Sequence, residues 1–327
     1  MVGTPARLSI VVEWANTDRA GVARSATMLG EVERQIEELA DGTAPLPLSF
    51  PVEILVVQTD GTTTAPPVVN ALAPRRADLI ERTVLTAPPT DYYGLKNHGF
   101  TQSGGDVVVF IDSDVVPEKG WLAAILAPLA DPAAHVVAGH AYIAPGGVYH
   151  KAFALFWFFP LRLEGEVSPK APALFANNLA FRRETFARFP FEADERASRG
   201  ACLALAARLT EAGITIHRAP DARVAHPPPN GMAHFVARGM AQGRDRLLRA
   251  RFTGSSREAS VTASVERAVR NVGRALGRIA TRRRQVQLSL IEAPIAAGVA
   301  VSYYSLYFAG EMLTRVSPDF MTRRFRI

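Results

Sequence analysis

The sequence predicts an α/β protein, a mostly parallel sheet with helices on both faces, continued by a C-terminal α-helical extension. Three observations carry that prediction. Val107-Val108-Val109-Phe110-Ile111 is an unbroken apolar run, the habit of a strand covered on both faces. Leu8-Ser9-Ile10-Val11-Val12 and Val52-Glu53-Ile54-Leu55-Val56-Val57 are further strand-like runs, separated by a helical stretch from about Val22 to Leu39 and a Pro/Gly-rich loop over 40–51. That alternation is how parallel sheets are assembled. Finally, the chain changes character near residue 233, and two regions are expected: 1–232, carrying the sheet, and 233–327, basic and helical.

The 327 residues suffice for one large domain and an appendage. Cys202 is the single cysteine, which excludes intrachain disulfides and cysteine-based zinc clusters and permits a reducing compartment. Met1 to Arg7 leads directly into the first strand without the basic start or long apolar region of a signal peptide. From residue 241 onward there are 16 Arg against 6 acids, a net +10 that leaves −4 for residues 1–240 of the total +6. A basic tail on a mildly acidic body suits a polyanionic surface. Nucleic acid is the poorer candidate, because the arginines are not interleaved with a reading motif.

The remaining elements follow in order. Residues 63–78 read as a connection with a short helix, Thr83–Leu85 as an edge-proximal strand, Trp121–Leu129 as a helix and His135–Gly139 as a strand. Phe153 to Pro160 is the most aromatic stretch; it is expected to pack against the sheet, with an acceptor groove or lipid contact as the other reading. A helix over Leu203–Gly213, a closing strand over Ala219–His226 and a helix from His234 to Leu248 complete the body. In the tail, Val265, Val269, Val272, Leu276 and Ile279 recur at helical spacing, with Arg267, Arg270, Arg274, Arg278 and Arg282 on an adjoining face. This is a basic amphipathic helix suited to an anionic membrane surface. Ala293–Gly310 is an uncharged run of 18 residues, at the lower limit for crossing a bilayer, and its tyrosines favour an interfacial or oligomer-forming helix.

The central strand ends in Asp112-Ser113-Asp114. Ligands of parallel sheets collect at the strands' carboxyl ends. Strand alternation would face both carboxylates the same way, where they can hold a hard divalent cation bridging nucleotide phosphates. The competing reading is that both acids cap the next helix.

Gly94-Leu95-Lys96-Asn97-His98-Gly99, then the strand with its Asp-x-Asp, then Pro117-Glu118-Lys119-Gly120-Trp121-Leu122 resemble the centre of the family 2 glycosyltransferases of the GT-A fold, with Lys96-Asn97 where Arg-Asn is usual. The resemblance covers about residues 7–230. It implies inverting, metal-dependent transfer (Mn²⁺ or Mg²⁺) from a nucleoside diphosphate sugar to a glycan or lipid-linked acceptor in cell-surface polysaccharide or glycoconjugate synthesis. A cytoplasmic enzyme is expected, peripheral on the inner face of the membrane or self-associating through its C-terminal helices.

Residue by residue, the resemblance gives Asp112, Asp114 and His226 to the metal, with Asp112 and Ser113 also touching the donor. Glu13 and Asp60 are expected to read the nucleoside and Trp14 to stack on the base, unless Trp14 is a core aromatic and Asp60-Gly61 only a turn. Lys96 is placed near the donor phosphates, Arg238 and Arg244 on the diphosphate, and Asn177 and Asn178 beside the acceptor. The family's catalytic acids fall here on Ala201 and Cys202, so the general base is sought in Asp194 or Glu195. That departure keeps open a second class of function, a catalytically weak sugar-nucleotide-binding or assembly module.

Overall fold

A computed structural model of the chain describes residues 4–42, 44–72, 76–163, 174–192, 201–252 and 257–318. The described residues fall into two compact units, one formed by 4–142, 162–192 and 201–226, the other by 143–161 and 227–318.

The first unit holds an eight-stranded sheet: β1 (Ala6–Glu13), β2 (Leu48–Thr59), β3 (Ile80–Ala87), β4 (Val107–Asp112), β5 (Val116–Pro117), β6 (Val136–Ile143), β7 (Asn178–Arg182) and β8 (Ile216–His226). Their order is β3-β2-β1-β4-β7-β6-β8-β5. β1 pairs in parallel with β2 and β4, and β2 with β3, whereas β7 runs antiparallel to both β4 and β6, and β5 to β8. All six residues of β4 are buried, as its unbroken apolar run requires. Parallel register sets Glu13 beside Asp112 and Val57, so the ends of β1, β2 and β4 form one edge.

Helices α1 (Thr17–Ala20), α2 (Val22–Asp41), α3 (Ala65–Ala71), α4 (Tyr92–Gln102), α5 (Trp121–Leu126), α7 (Arg183–Arg188) and α8 (Ala201–Glu211) belong to this unit. A β-carbon on Gly99 of α4 would lie 2.5 Å from Val11 Cγ1 and 2.8 Å from Val57 Cγ2, so only glycine lets α4 lie this close to the sheet. That close seat puts Lys96, almost one turn earlier, within reach of the end of β4.

The second unit is helical, with α6 (Val148–Phe156), α9 (Gly231–Phe252), α10 (Val261–Arg282) and α11 (Ala293–Val316). The aromatic stretch expected on the sheet packs here instead. Phe153 stacks edge-on to Phe235 and Tyr303, and Trp157 Nε1 donates to Tyr303 Oη at 3.0 Å. α11 offers Tyr303, whose ring packs on Phe153 and whose hydroxyl satisfies the indole.

α11 lies against α9 at backbone distance, since a β-carbon on Gly243 would fall 1.9 Å from the Tyr307 carbonyl oxygen and one on Gly310 2.1 Å from that of Met240. α10 closes on α11 through a buried bidentate pair, Arg267 Nε and Nη2 to Glu311 at 2.8 and 2.7 Å. The two-stripe reading of α10 is thereby corrected. Arg267 turns inward with Ser264, Ala275 and Ile279, while Val265, Val269 and Leu276 are exposed. Among the described residues no helix is long and apolar enough to cross a membrane.

The α9–α11 crossing yields a paired expectation. Gly310→Ala should destabilise the protein by about 1–3 kcal/mol, since the added methyl overpacks against backbone. Gly298→Ala, where nothing lies within 4 Å, should be neutral or stabilising by up to about 1 kcal/mol through helix propensity. Chemical denaturation followed by circular dichroism separates them; equal destabilisation would contradict the packing.

Candidate active site

The carboxyl end of β4 carries Asp112, fixed from α4. Lys96 Nζ lies 2.7 Å from Asp112 Oδ1, and Tyr92 Oη donates to the same carboxylate at 2.7 Å. Tyr92 and Lys96 are four residues apart on one helix face, and the ammonium also stands 4.9 Å from the Tyr92 ring centre. Lys96 is 0% exposed. It therefore neutralises Asp112 inside the fold and is no surface lysine.

Glu13, at the end of β1, is also fully buried. Its oxygens accept from the Ala15 N–H at 3.0 Å and Asn16 Nδ2 at 2.6 Å, and Asn16 Nδ2 also reaches Asp112 Oδ2 at 3.3 Å. Burial raises the Glu13 carboxyl pKa well above its usual range, the nearby Asp112 adds to that, and Lys96 opposes it. Glu13 thus organises the β1 loop rather than facing a base. Of the two readings of Trp14 the packing favours the core aromatic: it is 0% exposed, with its indole N–H on Thr64 Oγ1 at 3.0 Å.

β4 ends at Asp112, and Ser113-Asp114 lie in a turn, so strand alternation does not pair the two acids. Asp114 instead meets β8: its Oδ2 is 3.7 Å from His226 Nε2. Arg24 of α2 holds these two positions together, Nε donating to the Asp114 carbonyl and Nη2 to the Ala225 carbonyl at 2.6 Å. Neither Arg24 nor Tyr92 was singled out from sequence. The Tyr92/Lys96 spacing was a usable signal, whereas nothing local marks an arginine that reaches 90 and 201 residues along the chain.

Among the described residues no cluster of three His, Cys, Asp or Glu side chains is arranged to hold a metal. Of the expected trio, Asp114 and His226 converge, while Asp112 is engaged by Lys96 and Tyr92. One carboxylate and one imidazole still suit a borderline divalent ion such as Mn²⁺ when phosphate oxygens complete the shell. Charge agrees, since Glu13, Asp112 and Asp114 act on one another against the fixed cations Lys96 and Arg24.

Ser113 Oγ and Asn177 Oδ1 are buried without a hydrogen-bond partner among the described residues, unlike most interior polar atoms. Asn178 is different: its Oδ1 accepts from Trp121 Nε1 and its Nδ2 donates to the Ala222 carbonyl, each at 2.8 Å. Both ends of its amide are used inside the sheet, so it is not available to sugar hydroxyls. Asp60 is exposed at the end of β2, before Gly61 with φ 84°, so the turn and a free carboxylate coexist there.

Arg238 and Arg244 lie on α9 in the second unit, Arg238 over the Trp157 ring at 5.4 Å and Arg244, buried, 2.9 Å from Asp245. These are the two residues expected on the diphosphate. Asp194 and Glu195 fall outside the described residues. Ala201 is buried in α8, and Cys202 Sγ lies 3.5 Å from Tyr93 Oη.

Glu13 and Asp112 close β1 and β4, Asp60 follows β2, and Asp114 and His226 converge beside them, at the edge where parallel α/β sheets bind their ligands. Residues 33–189, a little under half of the chain, match the Glycosyl transferase family 2 model. The pre-mycofactocin glycosyltransferase of Mycobacterium tuberculosis, in two strains, is 29% identical over 152 residues, 44% of this chain and 31% of that relative. The chain thus matches about a third of the length of these curated relatives. Among solved structures, a mannosyltransferase from Pyrobaculum calidifontis in complex with GDP-Man and Mn²⁺ superposes with TM-score 0.55 at 17% identity, covering 96% of this chain and 88% of that one. The likeness is one of fold.

Two outcomes are expected. Lys96→Met leaves the Asp112 charge buried and unpaired and should cost about 3–5 kcal/mol, much of it recovered in the Lys96→Met/Asp112→Asn double variant; urea denaturation reads both. Burial raises the Cys202 thiol pKa, and the thiolate is the reactive form. Alkylation should be slower than for an unfolded-chain cysteine and keep accelerating with pH after the free thiol has levelled off.

Proposed function

We propose that this family 2 enzyme transfers a sugar, with inversion, from a nucleoside diphosphate sugar to a glycan or lipid-linked acceptor in glycoconjugate or polysaccharide synthesis. The observation that carries the reading is the Asp114–His226 pair, 3.7 Å apart, beside the immobilised Asp112 at the ends of the parallel strands. The Pyrobaculum mannosyltransferase with GDP-Man and Mn²⁺ and the mycobacterial glycosyltransferase are consistent with this donor class.

Asp114 and His226 would hold the divalent ion, Mn²⁺ or Mg²⁺, whose charge stabilises a departing nucleoside diphosphate. Asp112 keeps acceptor capacity beyond its bonds to Lys96 and Tyr92 and faces the ribose. Asp60, exposed at the end of β2, receives the nucleoside. Ser113 and Asn177 bring buried oxygens that a bound donor or acceptor can satisfy. Asp194 or Glu195 takes the proton of the acceptor hydroxyl as general base.

The second reading, a catalytically weak sugar-nucleotide-binding or assembly module, is favoured by Ala201 and Cys202 at the start of α8, where the family carries acids. Calorimetric titration of GDP, UDP, dTDP and CDP, with and without Mn²⁺, tests the donor site. One nucleotide should bind at least about tenfold more tightly with the metal, and Asp114→Ala should abolish that gain. Metal-independent binding, or none, would overturn the site. Donor turnover lost in Asp194→Asn or Glu195→Gln with nucleotide binding retained identifies the base; no turnover in the unmodified enzyme with any acceptor class would favour the module.

A further inference from the structure

The second unit carries an outward surface that folding leaves uncovered. α10 ends at Arg282, a 3₁₀ turn spans Arg283–Val286, and Gln287 takes a left-handed conformation, φ 55°. Leu288 tucks inward, but the next two apolar residues do not: Leu290 is 70% and Ile291 88% exposed. This tip is built rather than loose. Ser289 N–H donates to Glu292 Oε2 at 2.8 Å and Glu292 N–H to Ser289 Oγ at 3.2 Å, a reciprocal cap. The one acid of the turn is further paired to Lys151 at 3.0 Å, so its charge is matched at the surface.

The same surface continues onto α11. Exposed positions 294, 295, 298, 301, 302 and 305 share one helix face, and none is charged over about three turns. A solvent-facing helix surface ordinarily carries its charged residues there. Here the face presents Ile295 at 56% and Val301 at 41% exposure, while Arg283 and Arg284 flank its start.

We propose that the α10–α11 turn docks on an anionic lipid bilayer, with Leu290, Ile291 and Ile295 entering the acyl boundary and Arg283 and Arg284 at the headgroups. An apolar tip beside like-signed cations complements an anionic interface in both layers, the headgroups and the hydrocarbon beneath. A self-contact would bring arginine against arginine.

The test is co-sedimentation of the full chain with phosphatidylcholine vesicles, with and without phosphatidylglycerol, at low and high salt. The unmodified chain should bind the anionic vesicles and lose that binding as salt rises. Leu290→Ser/Ile291→Ser should bind at least about tenfold more weakly, and Arg284→Gln about fivefold more weakly with a shallower salt dependence. Unchanged circular dichroism and melting temperature show that the variants are folded; should the double variant misfold, Arg284→Gln alone decides. Binding indifferent to phosphatidylglycerol, or equal in variant and parent, overturns the proposal. So does concentration-dependent self-association abolished by the double variant, which makes the patch an interface between copies of the chain.

Discussion

The Lys96–Asp112 ion pair is the constraint on which the candidate site depends. Two full charges at 2.7 Å, one completely buried, are tolerable only because each has lost water in exchange for a fixed opposite charge and further hydrogen bonds. Tyr92 supplies one of those bonds to Asp112 and Asn16 another, so the end of β4, the start of α4 and the loop after β1 are bound into one arrangement. Glu13 is drawn into the same field, and its carboxyl is the group that burial disfavours most clearly as an ion. Three carboxyl groups thus share one sheet edge with two cations, Lys96 and Arg24, behind them.

Arg24 provides the second brace. Its guanidinium bridges two main-chain carbonyls, those of Asp114 and Ala225, leaving the Asp114 and His226 side chains to converge while the backbone beneath them is held. A planar fork with several donors suits that task better than an ammonium. The convergence of acid and imidazole is therefore a property of α2 as much as of β4 and β8, although α2 contributes no ligand of its own.

The helical unit obeys a different economy. α9 and α11 approach through Gly243 and Gly310 until main chain meets main chain, and the buried Arg267–Glu311 pair locks α10 alongside. Apolar residues that might have served this packing, Leu290 and Ile291 at the turn and Ile295 on α11, are turned outward instead. At this crossing glycines make the contact, and those three large residues remain available for a surface.

Much of this was legible in the chain itself. Runs such as Val107 to Ile111 can bury only as a covered strand, and helical and Pro/Gly-rich stretches between such runs leave a largely parallel sheet as the consistent solution. The acids at strand ends and the uncharged helix from Ala293 were likewise local facts. What tertiary structure alone decided was direction and company. Asp112 and Asp114 were read as partners because they are two residues apart, yet the strand stops between them, and their partners, Lys96 and His226, lie 16 and 112 residues away. Trp14, Asn178 and Arg244 have the right chemistry for ligands, but their polar atoms are spent on Thr64, Trp121 with Ala222, and Asp245. Sequence determines which groups are able to bind; only packing determines whether each is left facing a ligand or consumed inside, because that depends on which distant segment the fold sets against it.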